Sequence, residues 1–319
     1  MQKVMNICFT ANDIYVPFMS TVIVSILKNS KEDEYFYFHV ITNDISDENK
    51  NMIEKLKEIK TFDIKYYTPN IEKYNKWFDK ILYKRHYAPS IFYRLDIPDL
   101  IQNVDKILYL DCDIIVNSSL SELFDMDISE YFAFAVEDRG DLNFLNKYKI
   151  KIGLEDKHKY FNSGVLLLNN KLYSEKGLNI KCESYFDKYC NIIECPDQDI
   201  LNYLFKDDIK FIDNKWNDFT SKNVNTSSII HYVGKIKHWN RNCPSNESVE
   251  LFWNYFYYTP YYQQNPMKYM QMIMDQKIKG LGIYSNDYLN NKIDKLINKI
   301  SWFIPFKSMR EDFRNSFLE

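Results

Sequence analysis

The sequence predicts an α/β protein built on a parallel central sheet with helices packed against it. Strand-like and helix-like segments alternate over residues 4–67. Hydrophobic residues make up 45% of the 319 residues, which is enough for a sizeable core. A further strand, in residues 106–116, is apolar except for two acidic residues near its end.

Three strands and two helices begin the chain. β-branched and aromatic residues dominate the predicted strands, which cover residues 4–10, 35–41 and 62–67. The first helix has an apolar face at helical spacing, formed by Val22, Ile23, Ile26 and Leu27. The second covers residues 47–58, with its acidic residues early. This alternation predicts parallel pairing, with ligands bound at the carboxyl ends of the strands.

Residues 106–116 predict a buried strand that carries Asp111 and Asp113. Residues two apart on a strand share a face, so both carboxylates can point to one site if the strand ends or bends there. Paired carboxylates suit Mg²⁺ or Mn²⁺ bound together with phosphate oxygens. The alternative is a strand end with two solvated or capping acids, since residues 117–119 are typical of a turn.

The remaining elements follow from local patterns. A helix is expected near Ile91 with Ser90 as its cap, and another at Pro196 or Asp197. Further strands are predicted for residues 132–136, for 160–169 after a polar turn, and for 229–239 leading into a turn. After residue 245 the pattern becomes aromatic and helical.

Composition narrows the classes of function. A net charge of -3 gives no support for nucleic-acid binding. The six cysteines include no C-x-x-C pair and predict reduced thiols, and no signal peptide is recognised, so a cytoplasmic protein is expected. The absence of G-x-G-x-x-G and G-x-x-x-x-G-K motifs argues against a dinucleotide fold or a P-loop.

Six motifs in order resemble the family-8 retaining glycosyltransferases, which include lipooligosaccharide galactosyltransferases and glycogenin. They lie between residues 4 and 240. The motifs are Phe-Thr-Ala-Asn-Asp at residues 9–13 with Tyr15, Ser-x-x-Tyr-Arg-Leu at 90–95, Leu-Tyr-Leu-Asp-x-Asp at 108–113, Phe-Asn-Ser-Gly-Val at 161–165, Asp-Gln-Asp at 197–199, and His-x-x-Gly-x-x-Lys-x-Trp at 231–239. Two departures are His238, where the family usually has Pro, and Ile14, where relatives often carry a polar residue.

The resemblance implies a GT-A fold, a Rossmann-like, mixed, mostly parallel sheet that binds a nucleotide sugar. It also implies a catalytic domain at residues 1–245, followed by a helical C-terminal extension at 246–319. The implied activity is transfer of glucose or galactose from UDP-glucose or UDP-galactose to a glycan, lipid-linked or glycoprotein acceptor. Two rivals stay open: a nucleotide-sugar hydrolase or binder, and a metal-dependent nucleotidyl- or phosphotransferase.

The resemblance also assigns residues to roles. The metal, Mn²⁺ or Mg²⁺, is assigned to Asp111, Asp113 and His231, a donor set whose imidazole favours Mn²⁺. The residues assigned to the UDP-sugar are Thr10, Ala11, Asn12, Asp13, Tyr15, Arg94, Asp111, Cys112, Asn162, Ser163, Gly234 and Lys237. Asp197 and Gln198 are assigned to catalysis, and a neutral amide favours electrostatic support over a covalent role.

The C-terminal tail combines basic and aromatic residues. An apolar stripe recurs at helical spacing and consists of Ile293, Leu296, Ile297 and Ile300. Lys292, Lys295 and Lys299 flank it, and Trp302 and Phe303 follow. This pattern favours peripheral contact with the inner face of the plasma membrane, the alternative being a helix packed on the catalytic domain.

Overall fold

A computed structural model describes residues 2–84, 87–220 and 224–280. The chain divides into two compact units, Met1–Val233 and Gly234–Glu319. The predicted boundary after residue 245 stays a prediction. The tail from residue 289, with its proposed membrane contact, lies outside the described residues. Within the described ranges, no helix combines the length and apolarity needed to cross a bilayer.

Nine strands lie in the described part of the first unit. They are β1 Lys3–Thr10, β2 Glu34–Ile41, β3 Asp63–Tyr67, β4 Lys106–Leu110, β5 Ile114–Val116, β6 Ala133–Glu137, β7 Phe161–Asn169, β8 Ile209–Phe211 and β9 Ile229–His231. Seven form one sheet in the order β3-β2-β1-β4-β7-β6-β8, and β5 pairs with β9 in a second.

The large sheet is mostly parallel. β3, β2, β1 and β4 run parallel, as the alternating pattern predicted, and β6 pairs parallel with β8. β7 is antiparallel to both β4 and β6, which makes the sheet mixed. The predicted α/β fold with a mixed, mostly parallel sheet is confirmed.

The acidic segment is two strands rather than the one predicted. β4 ends at Leu110, and β5 begins at Ile114 in the other sheet, paired with β9. The break falls on residues 111–113, so both aspartates lie in the connection. Because β1 is parallel to β4, this connection lies at the same rim as the end of β1, and the Cys112 thiol donates to the carbonyl of Thr10 at 3.4 Å.

Twelve α-helices occur in the described ranges. They are α1 Val16–Lys28, α2 Asp47–Glu54, α3 Ile71–Lys80, α4 Ile97–Leu100, α5 Ser121–Phe124, α6 Leu142–Lys151, α7 Asn170–Glu175, α8 Leu178–Tyr189, α9 Pro196–Phe205, α10 Glu247–Phe256, α11 Pro260–Gln264 and α12 Pro266–Gly280.

Of three local predictions, one needs correction and two are confirmed. The helix expected near Ile91 is a 3₁₀ helix, Pro89–Asp96, that begins one residue before Ser90, so Ser90 does not cap it. The strand predicted for residues 160–169 is confirmed as β7, and Asn162 and Ser163 lie inside it. The helix start predicted at Pro196 or Asp197 is confirmed, since α9 begins at Pro196, directly after the cap position Cys195.

The core of the first unit lies between the large sheet and the helices on its surface. Aromatic stacking is prominent there: Trp77 of α3 lies parallel to Phe186 of α8 with ring centroids 4.0 Å apart. All six cysteines are free thiols, as predicted, and five of them are buried.

Candidate active site

Asp111, Asp113 and His231 converge where β4, β5 and β9 meet. One potential ligand atom from each residue lies within 4.8 Å of the others. The imidazole Nε2 of His231 is 3.2 Å from Asp113 Oδ1 and 3.7 Å from Asp111 Oδ2. The pairing of Ile114 with His231 across β5 and β9 produces this approach.

The donor set fits a hard or borderline divalent cation. Two carboxylate oxygens and one imidazole nitrogen are ligands of the kind that Mn²⁺ accepts. Gly164 of β7 leaves room beside them: a Cβ at this position would lie 2.1 Å from His231 Cε1 and 2.8 Å from Asp111 Oδ2. Both distances are below van der Waals contact, so the arrangement requires a glycine here.

We call Asp111, Asp113 and His231 the metal-ligand cluster. Arg94 connects this cluster to another acidic residue, Asp197. Its side chain is 8% exposed, and its guanidinium lies 2.8 Å from Asp111 Oδ1 and 3.1 Å from Asp197 Oδ2. Burial alone lowers the pKa of Arg94, but the two carboxylates raise it well above its usual range. The guanidinium is therefore permanently charged and neutralises part of the buried negative charge.

The two oxygens of Asp111 have different surroundings. Oδ1 accepts hydrogen bonds from Arg94 and from the Tyr109 hydroxyl at 2.7 Å. Oδ2 is the oxygen nearer to His231. The contacts on Oδ1 hold the carboxylate so that Oδ2 faces the imidazole.

Asp197 and Gln198 lie in the first turn of α9, next to β7. Asp197 accepts a hydrogen bond from the Ser163 hydroxyl at 3.0 Å. Burial raises the pKa of Asp197, and the positive charge of Arg94 opposes that increase. Gln198 Oε1 accepts from the backbone N–H of Ser163 at 2.9 Å, and Nε2 donates to Asp138 Oδ2 at 3.2 Å. Both ends of the amide are therefore held.

Asp199 points away from Asp197 and is fully buried. Its carboxylate accepts hydrogen bonds from the hydroxyls of Tyr148 and Tyr160 and from the backbone N–H groups of Glu194 and Cys195. Burial raises the pKa of Asp199 to about 7, although these hydrogen bonds act to lower it. Asp199 anchors the start of α9 to α6 and β7.

The residues assigned to the nucleotide gather after β1. The Thr10 hydroxyl is 3.0 Å from that of Tyr109, and the backbone N–H of Ala11 donates to Ile41. Asn12 Oδ1 caps the short turn by accepting from the Tyr15 N–H at 3.1 Å. Burial raises the pKa of Tyr15, and the carboxylates of Asp113 and Asp111 add to the increase. Asn12 to Tyr15 thus form one short turn directly after β1.

Asp13 and Cys112 make contacts within the fold. Asp13 Oδ1 accepts from the Ser46 backbone at 2.8 Å and from Asn49 Nδ2 at 2.7 Å, which ties the β1 turn to the start of α2. Burial raises the pKa of Asp13, but these bonds outweigh it and the net shift is downward. Burial holds the pKa of the Cys112 thiol well above its usual range, so the thiol stays neutral.

Gly234 and Lys237 begin the second unit. Gly234 has a φ of 97°, in the left-handed region that favours glycine. The carbonyl of Lys237 closes a turn by accepting from Asn240 at 2.8 Å. Gln276 of α12 supports the same loop, since its Nε2 donates to His238 and Asn240 carbonyls at 2.7 and 2.8 Å.

Sequence reasoning missed Asp138 and the role of Gly164 in the site. Asp138 lies just after β6 and contacts Gln198, but one acid after a strand is a weak signal. Gly164 stands within the Phe-Asn-Ser-Gly-Val motif, yet only the tertiary structure reveals that His231 occupies the space that a side chain at this position would need.

The first unit contains a cavity of about 420 Å³. Its lining includes Arg139, the neighbour of Asp138, together with Asn217, Asp218, Thr220 and Ser227. Both hydrogen-bond donors and acidic groups border it.

Comparison with known proteins identifies relatives over most of the chain. Residues 6–243 match the family model of glycosyl transferase family 8. A Haemophilus influenzae protein whose assignment as a glycosyltransferase is provisional is 33% identical over 256 residues, covering 76% of this chain and 74% of that protein. The Escherichia coli lipopolysaccharide 1,2-glucosyltransferase is 28% identical over 283 residues, covering 82% and 80%.

Among solved structures, the galactosyltransferase LgtC in complex with donor and acceptor sugar analogues is similar, with a TM-score of 0.70 and 27% identity. The match covers 82% of this chain and 99% of LgtC. The predicted GT-A fold is confirmed by this similarity.

Proposed function

Because the chain is a hexosyltransferase of glycosyltransferase family 8, we propose that it transfers glucose or galactose from a UDP-sugar to a cell-surface glycan or glycoprotein, with retention of anomeric configuration and with Mn²⁺, or Mg²⁺, bound. The single observation that carries the proposal is the Arg94 bridge. It joins Asp111 of the metal-ligand cluster to Asp197 beside Gln198. A donor that consists of a diphosphate and a linked sugar needs two adjoining subsites. Asp111 would belong to the diphosphate subsite and Asp197 to the sugar subsite.

The choice of hexose and acceptor rests on the relatives. One is named as a lipopolysaccharide glucosyltransferase, and LgtC as a galactosyltransferase. Both names support a hexose donor and a glycan acceptor for this chain. The cytoplasmic location and contact of residues 289–319 with the inner face of the plasma membrane are also proposals.

Asp111, Asp113 and His231 would hold the divalent ion. When bound, the ion would neutralise the charge that develops on the departing diphosphate. Lys237 and Gly234 are proposed to serve the phosphates as well, one through its charge and the other through close backbone approach. Thr10, Ala11, Asn12, Asp13, Tyr15 and Cys112 are proposed to line the nucleoside site.

Arg94, Asn162, Ser163 and Asp197 are proposed to hold the donor sugar. Asp197 suits this role because it is buried and paired with Arg94, so it is compensated in charge and poorly suited to act as a base. A carboxylate in this state accepts hydrogen bonds from sugar hydroxyls without a large change in protonation.

Transfer is proposed to proceed on one face of the sugar. The bond between the anomeric carbon and the diphosphate oxygen breaks, and its electron pair leaves with the diphosphate. The acceptor hydroxyl oxygen bonds to the anomeric carbon and gives its proton to the departing diphosphate oxygen. Gln198 supports the positive charge on the sugar through its amide dipole, because Ser163 and Asp138 hold the amide in one orientation.

The acceptor is proposed to bind in the cavity of about 420 Å³. Arg139 lines this cavity and follows Asp138, whose carboxylate contacts Gln198. An Arg139→Ala variant should raise the KM for the acceptor while leaving donor binding unchanged. An equal effect on the binding of both substrates would contradict the assignment of this cavity to the acceptor.

A donor panel tests the proposed function. UDP-glucose, UDP-galactose, UDP-GlcNAc and GDP-mannose are compared by thermal shift with Mn²⁺ and with EDTA. A UDP-hexose that stabilises the protein only with metal is the expected result. NMR of the product should then show an α-linkage from an α-linked donor. A β-linked product, or hydrolysis that no acceptor accelerates, would overturn the proposal.

A further inference from the structure

One hydrogen-bond chain runs from the backbone of β7 to the buried imidazole of His231. The backbone N–H of Gly164 donates to Asn162 Oδ1 at 3.0 Å. Asn217 Nδ2 donates to the same oxygen at 2.9 Å, and Asn217 Oδ1 lies 2.9 Å from His231 Nδ1. Asn217 is 1% exposed and its contact with His231 is buried, whereas Asn162 is half-buried. We call these four residues the amide relay.

The direction of each bond in the amide relay follows from its backbone end. A backbone N–H can only donate, so the Asn162 atom facing Gly164 must be the oxygen. That oxygen also faces Asn217, whose contacting atom must therefore be the NH₂ group. The remaining amide atom of Asn217 is its oxygen, which can only accept. The proton between Asn217 and His231 therefore belongs to His231 Nδ1.

This direction determines the tautomer of His231. In a neutral imidazole with its hydrogen on Nδ1, the lone pair lies on Nε2. Nε2 is the nitrogen that faces the carboxylates of Asp113 and Asp111 at 3.2 and 3.7 Å. The opposite tautomer would aim an N–H group at the position of the cation and leave two acceptors facing each other at Asn217.

We propose that Asn217 is a positioning residue that holds His231 as the Nδ1-protonated tautomer, with Nε2 presented to the divalent cation. The proposal rests on the metal site of the proposed function, and it adds a residue that lies outside the six sequence motifs. A partner on the second nitrogen of a ligating histidine fixes the orientation of the ring and strengthens the metal bond.

The side chain of Asn217 is not needed to close its own turn. The backbone N–H of Asn217 already bonds to the Asn214 carbonyl at 3.0 Å. The loop after it is braced by Asp218, which accepts from Thr220 and from the Ser227 hydroxyl at 2.6 Å. Within the part of the chain that the structure describes, the amide of Asn217 bonds to Asn162 and to His231.

Two variants and a control test the proposal. Asn217→Leu keeps the branched shape of the side chain and removes both hydrogen bonds, and Asn217→Asp keeps an acceptor for the Nδ1 proton. Asn214→Leu, in the same turn, is the control. Calorimetry should show Mn²⁺ binding weakened by about 10- to 100-fold in Asn217→Leu, less in Asn217→Asp, and not in Asn214→Leu.

A spectroscopic measurement on the metal-free protein supplies the second readout. ¹⁵N NMR of the neutral histidines, with His231 assigned from a His231→Phe variant, should show the proton on Nδ1 in the wild type and a mixture of tautomers in Asn217→Leu. Wild-type protonation at Nε2 would overturn the proposal, as would unchanged Mn²⁺ affinity in a folded Asn217→Leu.

The failure of the proposed function is distinguishable from failure of this inference. If the wild type binds no Mn²⁺, the proposed metal dependence fails, while the metal-free spectrum still tests the tautomer. If Asn217→Leu does not fold, the wild-type spectrum and the Mn²⁺ affinity of Asn217→Asp still test the proposed role of Asn217.

Discussion

Two pairs of aspartates in this molecule have the same spacing and opposite surroundings. Asp111 and Asp113 stand between two strands, and both approach His231. Asp197 and Asp199 stand on the first turn of α9 and diverge: Asp197 reaches Arg94, whereas Asp199 is enclosed by tyrosine hydroxyls and backbone N–H groups. Only the first pair is arranged to hold a cation.

Backbone geometry explains the difference. Asp111 and Asp113, two residues apart, lie in the bend between β4 and β5, and the pairing of β5 with β9 lets both carboxylates approach His231. On a helix with 3.6 residues per turn, two positions at the same spacing are rotated by about 200° and point to opposite sides. One Asp-x-Asp therefore brings two potential metal ligands together, and the other places one carboxylate at Arg94 and one in a structural hydrogen-bond network.

The largest expected effect comes from the converging pair. Asp113→Asn removes one charged ligand and should abolish Mn²⁺-dependent UDP binding, with a loss beyond the roughly 10- to 100-fold typical of an outer partner. The fold should stay intact, because Asp113 contributes its backbone carbonyl, not its carboxylate, to the bond with Tyr232. Calorimetry with Mn²⁺ present measures the change, and unchanged UDP affinity would refute the metal assignment.

Gly164→Ala tests whether Asp111 and His231 can approach each other only when residue 164 has no side chain. The new methyl group would lie 2.1 Å from His231 Cε1, and the buried ring has little room to move. We expect weaker Mn²⁺ binding and a free energy of unfolding lowered by about 1–3 kcal/mol, as in other overpacked interiors. Gly140→Ala is a matched control, since its nearest contact is 3.2 Å. Equal Mn²⁺ affinities in the two variants would contradict the prediction.

Gln198→Ala addresses the residue between the diverging aspartates. We expect transfer to slow by roughly ten- to a thousandfold, the range for one positioned polar group. Gln198→Glu should not accelerate it, because a second carboxylate would face Asp138 at the place where Nε2 now lies. Initial rates of both variants measure this. Complete inactivity of a folded Gln198→Ala would instead favour a covalent role.

Asp199→Asn should change the dependence of stability on pH and little else. The folded pKa of Asp199 is raised to about 7, while an unfolded aspartate has a pKa of about 3.9. Between these values the folded state retains a proton that the unfolded state has released. The contribution of Asp199 to the free energy of unfolding is therefore present at low pH and falls as pH rises to about 7.

Denaturant unfolding of wild type and Asp199→Asn across that pH window measures the difference between the two proteins. The wild-type value should decline relative to the variant as pH rises. Parallel curves would show that Asp199 does not titrate there. Mn²⁺ affinity should be equal in the two proteins, in contrast to Asp113→Asn.

Local rules account for what the sequence determined by itself. Alternating strand and helix patterns predicted the parallel strands β1, β2 and β3, because side-chain periodicity depends only on neighbours along the chain. Motifs in order predicted the family, and the spacing of Asp111 and Asp113 indicated a metal site. The aromatic helical pattern after residue 245 appears as α10, α11 and α12.

Only the tertiary structure decided which groups meet. Pairing of β5 with β9 brings His231 to residues more than a hundred positions earlier, and antiparallel β7 puts Gly164 beside them. Asn217 and Asp138 carry no local signal, since their partners come from other elements. Asp197 and Asp199 are both buried, and their partners distinguish them: Arg94 pairs with Asp197, whereas tyrosine hydroxyls surround Asp199. The packing of the whole unit, rather than the spacing of the two residues, supplies those partners.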